Sequence, residues 1–147
     1  MRFTVSETSG TANATASRLG LRAGSVVGEI GYDDDVDTAL RSAVESIIGS
    51  ELLDEDADDV LDAALLWWRD DDGDLTDALV DAITLLADDG VIWVLTPRTG
   101  REGYVDPSDI GDAARTAGLA QTTTGPTTGD WMMTKLVRSR ASARPRR

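Results

Sequence analysis

Strands alternating with amphipathic helices, closed by a hairpin, predict a single α/β domain of Rossmann-like type: a three-layer sandwich on a mostly parallel sheet. Three observations carry this expectation. A glycine-bounded β-branched run at residues 25–32 and an unbroken apolar run at 63–68 are each followed by a helix-period stripe. A third apolar run, residues 91–95, stops at Thr96 and Pro97. After one more helix, residues 119–124 and 131–137 flank a Gly-Pro turn region as an antiparallel pair.

The elements follow in order. Residues 1–12 are small and polar apart from Phe3 and Val5 and read as a flexible lead-in to a domain spanning 13–137. Residues 13–19 suit one or two helical turns stopped by Gly20, and the strand at 25–32 comes next. Leu40, Ala43, Val44, Ile47 and Ile48 line one face of a helix that Asp37 caps and Gly49 ends. The segment ELLD at 51–54 reads as a truncated strand leading into an acidic loop at 54–59.

Residues 60–68 could form helix or strand. The six apolar residues closed by a turn cluster favour a strand buried on both faces. Leu75, Ala78, Leu79, Ala82, Ile83, Leu85 and Leu86 then predict a helix over 74–88, capped by Asp74 and ended by Gly90. Asp106, Pro107 and Asp109 read as N-cap, N1 and N3 of a last helix reaching Gly118.

A chain of 147 residues can bury a core without disulfides or metal. It has no cysteine and no histidine, which excludes thiolate chemistry, Ser-His-Asp triads and histidine-ligated zinc. No apolar run has the roughly 20 residues a membrane helix needs. The N-terminus lacks the pattern of a secretory signal, so a cytoplasmic location is expected.

Charge is uneven. The last ten residues hold five arginines and no acid, so the other 137 carry −18 against −13 for the whole. A body this acidic repels phosphate backbones and anionic lipid, leaving nucleic acid a partner only for the tail. The tail, residues 138–147, reads as a disordered terminus. An acidic body suits a basic partner, divalent cations or adaptation to high salt.

Two resemblances rest on particular residues. ASRLGLRAG (16–24), EIGYDDD (29–35), LLWWRDDDGDLTDAL (65–79), GVIWVLTP (90–97) and Asp130-Trp131 resemble a family of small acidic actinobacterial proteins of unknown function. More distantly, the strand after residues 19–24, residues 62–68 with the following helix, 91–95 and the closing hairpin resemble class I S-adenosylmethionine-dependent methyltransferases, in a shortened form. That resemblance implies a cofactor site over a glycine-rich turn after the first strand. Glu29, Gly31 and Asp33 occupy this turn, which has one glycine where two or three are expected. It also implies a ribose-holding acid near the second strand, where Asp54 stands, and drops the usual second helix, third strand and third helix.

Ligands of doubly wound folds lie at the carboxyl ends of the strands. Arg69 and Asp70 follow the strand at 60–68 and join the cofactor-binding candidates. Asp70, Asp71, Asp72 and Asp74 are candidate oxygen ligands for Mg²⁺ or Ca²⁺, but also suit a helix start crowded with favourable negative charge. An EF-hand is excluded, because placing Gly73 at loop position six puts Trp68 where an acid belongs. Trp67 and Trp68 are read as core residues on opposite faces. Arg98 and Arg101 form the one basic patch within the body and could hold an anion or pair with surface acids.

Three functions are compatible with these features. The first is a non-catalytic, methyltransferase-like binding or regulatory module acting through a protein partner or small effector. The second is a small methyltransferase or other nucleotide-cofactor enzyme, and the third an acidic cation-binding protein. The eroded glycine turn and the absence of a recognisable acid–base set favour the first.

Overall fold

The computed structural model describes residues 15–56, 58–127 and 130–139. Its elements are β1 (Val27–Ile30), α1 (Thr38–Ile48), β2 (Leu61–Trp67), α2 (Leu75–Ile83), β3 (Leu86–Pro97), α3 (Pro107–Thr116), β4 (Leu119–Pro126) and β5 (Trp131–Arg138). They build one five-stranded sheet in the order β1-β2-β3-β5-β4. β1, β2 and β3 pair in parallel, and β5 pairs antiparallel to both β3 and β4. β5 is therefore the one strand running against the rest, and the sheet is mostly parallel, as expected.

Both faces of the sheet are covered. Leu40, Ala43, Val44 and Ile48 of α1 pack with Val27, Leu65, Trp67, Trp93 and Trp131 on one face. Leu75, Leu79 and Ala82 of α2 pack with Ile110, Ala113 and Ala114 of α3, and with Leu66, Trp68 and Val94, on the other. β2 lies between these layers, so every residue from Ala63 to Trp67 is buried. This is why its apolar residues run unbroken instead of alternating. Trp67 and Trp68 enter opposite cores, as adjacent strand residues must.

The caps follow the sequence. Asp37 accepts from the Leu40 amide at 3.0 Å, Asp74 from Asp77 at 3.3 Å and Asp106 from Ser108 at 2.9 Å. Gly49 ends α1 in the left-handed region, its amide donating to Glu45 O. The truncated strand survives as a single parallel bridge between Leu53 and Gly28. Leu53 receives the Glu29 amide and donates to Val27 O. The chain next enters the sheet at Leu61, where β2 pairs with the other side of β1.

The junction of α2 and β3 differs from expectation. α2 ends at Ile83, not at 88, and Gly90 lies within β3 rather than past a helix end. Leu85 and Leu86 continue the helical apolar spacing, but Leu61 captures them: its amide donates to Leu85 O and it pairs with Leu86. The next pair is Ala63 with Val91, so residues 87–90 bulge out of the ladder. β5 extends to Arg138, while the lead-in expected at 1–12 and most of the arginine-rich tail lie outside the described residues.

Candidate functional site

β1 and β2 are parallel neighbours whose following helices lie on opposite faces of the sheet. The chain leaves β1 toward α1 and leaves β2 toward α2, which opens a crevice at their carboxyl ends. In doubly wound folds this switch point is where ligands sit.

Glu29, Gly31, Asp33, Arg69 and Asp70 all converge on this end of the sheet. Glu29 is buried, with 6% of its surface exposed. Its carboxylate accepts two bonds from Arg41, at 2.6 and 2.8 Å, and one from Trp67 Nε1 at 2.8 Å. Glu29 therefore pins α1 and β2 to β1. The Arg41 guanidinium lies 4.7 Å from the Tyr32 ring centre, and its bonding to Glu29 raises its pKa further.

Gly31 is the tightest point. Its φ is +81°, and a Cβ there would lie 2.3 Å from the Trp67 carbonyl oxygen. Only glycine combines that backbone conformation with that approach. The Gly31 amide donates to Glu55 at 2.9 Å, and its carbonyl accepts from Arg69 at 2.8 Å.

Arg69 fills the crevice. Strand alternation puts it on the side of Trp67, and its guanidinium reaches across to the loop after β1. Nε donates to Asp35 at 3.0 Å and Nη2 to the other Asp35 oxygen, a two-pronged pair. Nη1 donates to Gly31 O and, at 3.2 Å, to Trp67 O, and sits 3.3 Å from Asp72. The Trp131 ring centre is 5.3 Å from the Arg69 Cζ. Trp131 in turn donates from Nε1 to Asp35 O at 3.1 Å and meets Trp67 edge-on at 4.9 Å. Burial opposes the Arg69 charge, but Asp35 and Asp72 outweigh it and raise its pKa.

The same bond with Arg69 holds the Asp35 carboxyl below its usual range, against a smaller opposing effect of burial. Because the folded value lies below the unfolded one, this stabilisation is complete above about pH 4. It is lost as pH falls through the folded value. NMR titration of the Asp35 carboxyl carbon should give a depressed pKa in the intact chain and an ordinary one in Arg69→Gln. Equal values in both proteins would disconnect Asp35 from Arg69.

A cavity of about 610 Å³ opens in front of Arg69 and Trp131, with Asp33, Asp70, Asp71 and Glu102 around it. A smaller one, about 250 Å³, lies on the far side of the β1 loop beside Glu29, Tyr32, Arg41, Asp54 and Glu55. Asp54 thus sits at the remnant strand, where its side chain accepts from the Asp56 amide at 3.0 Å.

The metal candidates are not drawn together. Asp72 accepts from the Arg69 amide at 2.9 Å, and Asp74 caps α2. Asp70 is tied through its amide to Gly103 O, and Asp71 faces the larger cavity. Among the described residues no three acids are grouped to hold an ion. Arg101 pairs with Asp130 at 2.8 Å, the surface pairing open to it from the sequence, while Arg98 donates to Thr127 O.

Sequence reasoning missed Arg41, Glu55 and Trp131 and left Asp35 as one of three loop acids. Their partners stand 12, 24 and 34 or more positions away, and no local spacing signals such contacts.

Comparisons with known proteins agree with this fold. The structure is similar to mitomycin 7-O-methyltransferase MmcR (TM-score 0.60, 15% identity) over 90% of this chain and 54% of that one. It is also similar to the pyocyanin biosynthetic protein PhzM (0.61, 14%) over 89% and 55%, so the chain spans about half the length of each. A SAM-dependent methyltransferase from Aquifex aeolicus (0.57, 10%) is matched over 87% of this chain and 89% of that one. At such identities the likeness shows the fold, which is Rossmann-like and methyltransferase-like. Among the described residues no helix is long and apolar enough to cross a membrane.

In sequence, the uncharacterized protein Rv2239c of Mycobacterium tuberculosis is 50% identical over 128 residues, 87% of this chain and 80% of that protein. The uncharacterized protein Mb2263c of Mycobacterium bovis matches to the same extent. The model of a family described as "Protein of unknown function (DUF3052)" matches residues 16–140, and the chain belongs to that family.

Proposed function

We propose that this protein is a non-catalytic binding module on a shortened methyltransferase-like sheet, acting through a partner protein or small effector. The observation that carries this reading is that the chain's own side chains occupy both backbone polar groups of Gly31, at the turn after β1. Glu55 holds the Gly31 amide, and Arg69 holds the Gly31 carbonyl. A cofactor lying over a glycine turn needs bare backbone there. Tyr32 and three aspartates add bulk and negative charge instead.

The residues at this turn do not fit S-adenosylmethionine. The space beside Glu29, Tyr32 and Asp54 is about 250 Å³, below the roughly 300–1,000 Å³ of ligand pockets. The truncated strand's single bridge at Leu53 leaves Asp54 on an exposed loop.

Thermal unfolding of the full chain with S-adenosylmethionine or S-adenosylhomocysteine tests the reading. Tight binding at one hundred times Kd stabilises by about 2.7 kcal/mol, a shift of several degrees. The expected result is no shift with either compound. A rise of several degrees with S-adenosylmethionine would overturn the reading in favour of a small methyltransferase.

A further inference from the structure

The Arg69 guanidinium lies in a receptacle that distant parts of the chain build for it. Five oxygens surround it: both of Asp35, one of Asp72, and the carbonyls of Gly31 and Trp67. The Trp131 ring covers it. A flat, forked cation with five N–H donors matches such a set, whereas a compact ammonium with three does not.

The receptacle has supports of its own. Trp131 Nε1 holds the Asp35 carbonyl, Glu55 holds the Gly31 amide, and Trp67 is fixed by Glu29. None of these bonds involves Arg69. The pair also sits at an open floor: the Arg69 side chain is 12% exposed and that of Asp35 54%. The cavity of about 610 Å³ opens directly on both. Asp33, Asp70, Asp71 and Glu102 around it have no ion-pair partner among the described residues, so its field draws cations in.

We propose that this crevice is a guanidinium-binding site held shut by the chain's own Arg69, an autoinhibitory contact, and that its external ligand is an arginine side chain presented by a partner polypeptide. The proposal rests on the binding-module reading and adds the class of partner. A tethered guanidinium competes at an effective concentration on the order of millimolar. An incoming arginine therefore binds the intact chain weakly and binds tightly once Arg69 is removed.

The test uses the full chain, intact and as Arg69→Ala, titrated by calorimetry with acetyl-Gly-Arg-Gly-amide and its lysine and citrulline twins. Arg69→Ala should bind the arginine peptide at least about tenfold more tightly than the intact chain. It should also prefer arginine over both twins by a similar factor, and adding Asp35→Asn should remove that preference. Equal binding of arginine and lysine peptides would overturn the proposal, as would an affinity that Arg69→Ala leaves unchanged.

Should Arg69→Ala unfold, Arg69→Gln is melted in millimolar methylguanidinium or methylammonium. A rise in Tm with methylguanidinium alone supports the site, and equal effects of the two ions refute it. Binding of S-adenosylmethionine to the intact chain would overturn the binding-module reading on which this proposal rests, whereas loss of arginine selectivity would overturn this proposal and leave that reading standing.

Discussion

Gly31→Ala is expected to lower the unfolding free energy by about 3 kcal/mol, near 10 °C in Tm, while Gly49→Ala costs about 1 kcal/mol. The two glycines have the same backbone conformation, φ +81° and +82°. Each variant therefore carries the penalty of a Cβ in the left-handed region, about 1–2 kcal/mol. They differ in what the new atom meets. At Gly49 nothing lies within 4 Å, whereas at Gly31 the Trp67 carbonyl oxygen would be 2.3 Å away.

That oxygen belongs to the backbone of a buried strand and cannot rotate aside. Relief requires β1 and β2 to part at their carboxyl ends, which also breaks the Arg69 bonds to Gly31 and Trp67. Urea unfolding of the two variants measures the difference directly. Equal losses would mean that the close approach of β1 and β2 is not a constraint on the fold.

The second large effect is expected at Arg41. Arg41→Ala should cost about 2–3 kcal/mol, because it strands the Glu29 carboxylate at 6% exposure with Trp67 Nε1 as its remaining side-chain donor among the described residues. Arg41 is 24% exposed, so water can partly replace it, which keeps the loss below the 3–5 kcal/mol of a fully buried pair. The added change Glu29→Gln removes the stranded charge while leaving an oxygen for Trp67. The double variant should therefore recover part of the loss and be more stable than Arg41→Ala alone. If it is less stable, the cost of Arg41→Ala comes from lost packing over Tyr32 and not from the charge. Chemical denaturation of the double-mutant cycle decides between them.

Much of the fold is legible because its determinants are short-range. Asp37, Asp74 and Asp106 cap their helices through bonds to amides two or three residues ahead. The apolar run at 63–68 marks a strand covered on both faces, and ELLD at 51–54 shrinks to one bridge. Leu85 and Leu86 misled because a helical stripe cannot reveal that Leu61, 24 positions earlier, will pull them into the sheet. Pairing overrode periodicity there.

The candidate site was legible by position and not by partnership. That Glu29, Gly31, Asp33, Arg69 and Asp70 gather at one end of the sheet follows from strand ends in a parallel fold. Which of them bond to which does not. Asp72 serves Arg69 and Asp74 serves a helix start, although both stand in one acidic run with Asp70 and Asp71.

The sequence by itself determined the order of strands and helices, the caps, the two-faced burial of β2 and the acidic loops at the strand ends, because each depends on residues a few positions apart. Only the tertiary structure decided that Glu29 would be sealed by Arg41 and Trp67, and that Arg69 would lie on Trp131 between Asp35 and Asp72. Those contacts form when strands far apart in the chain are brought to one edge. Burial then requires each polar group there to find a partner, and which partner is set by geometry that no local pattern encodes.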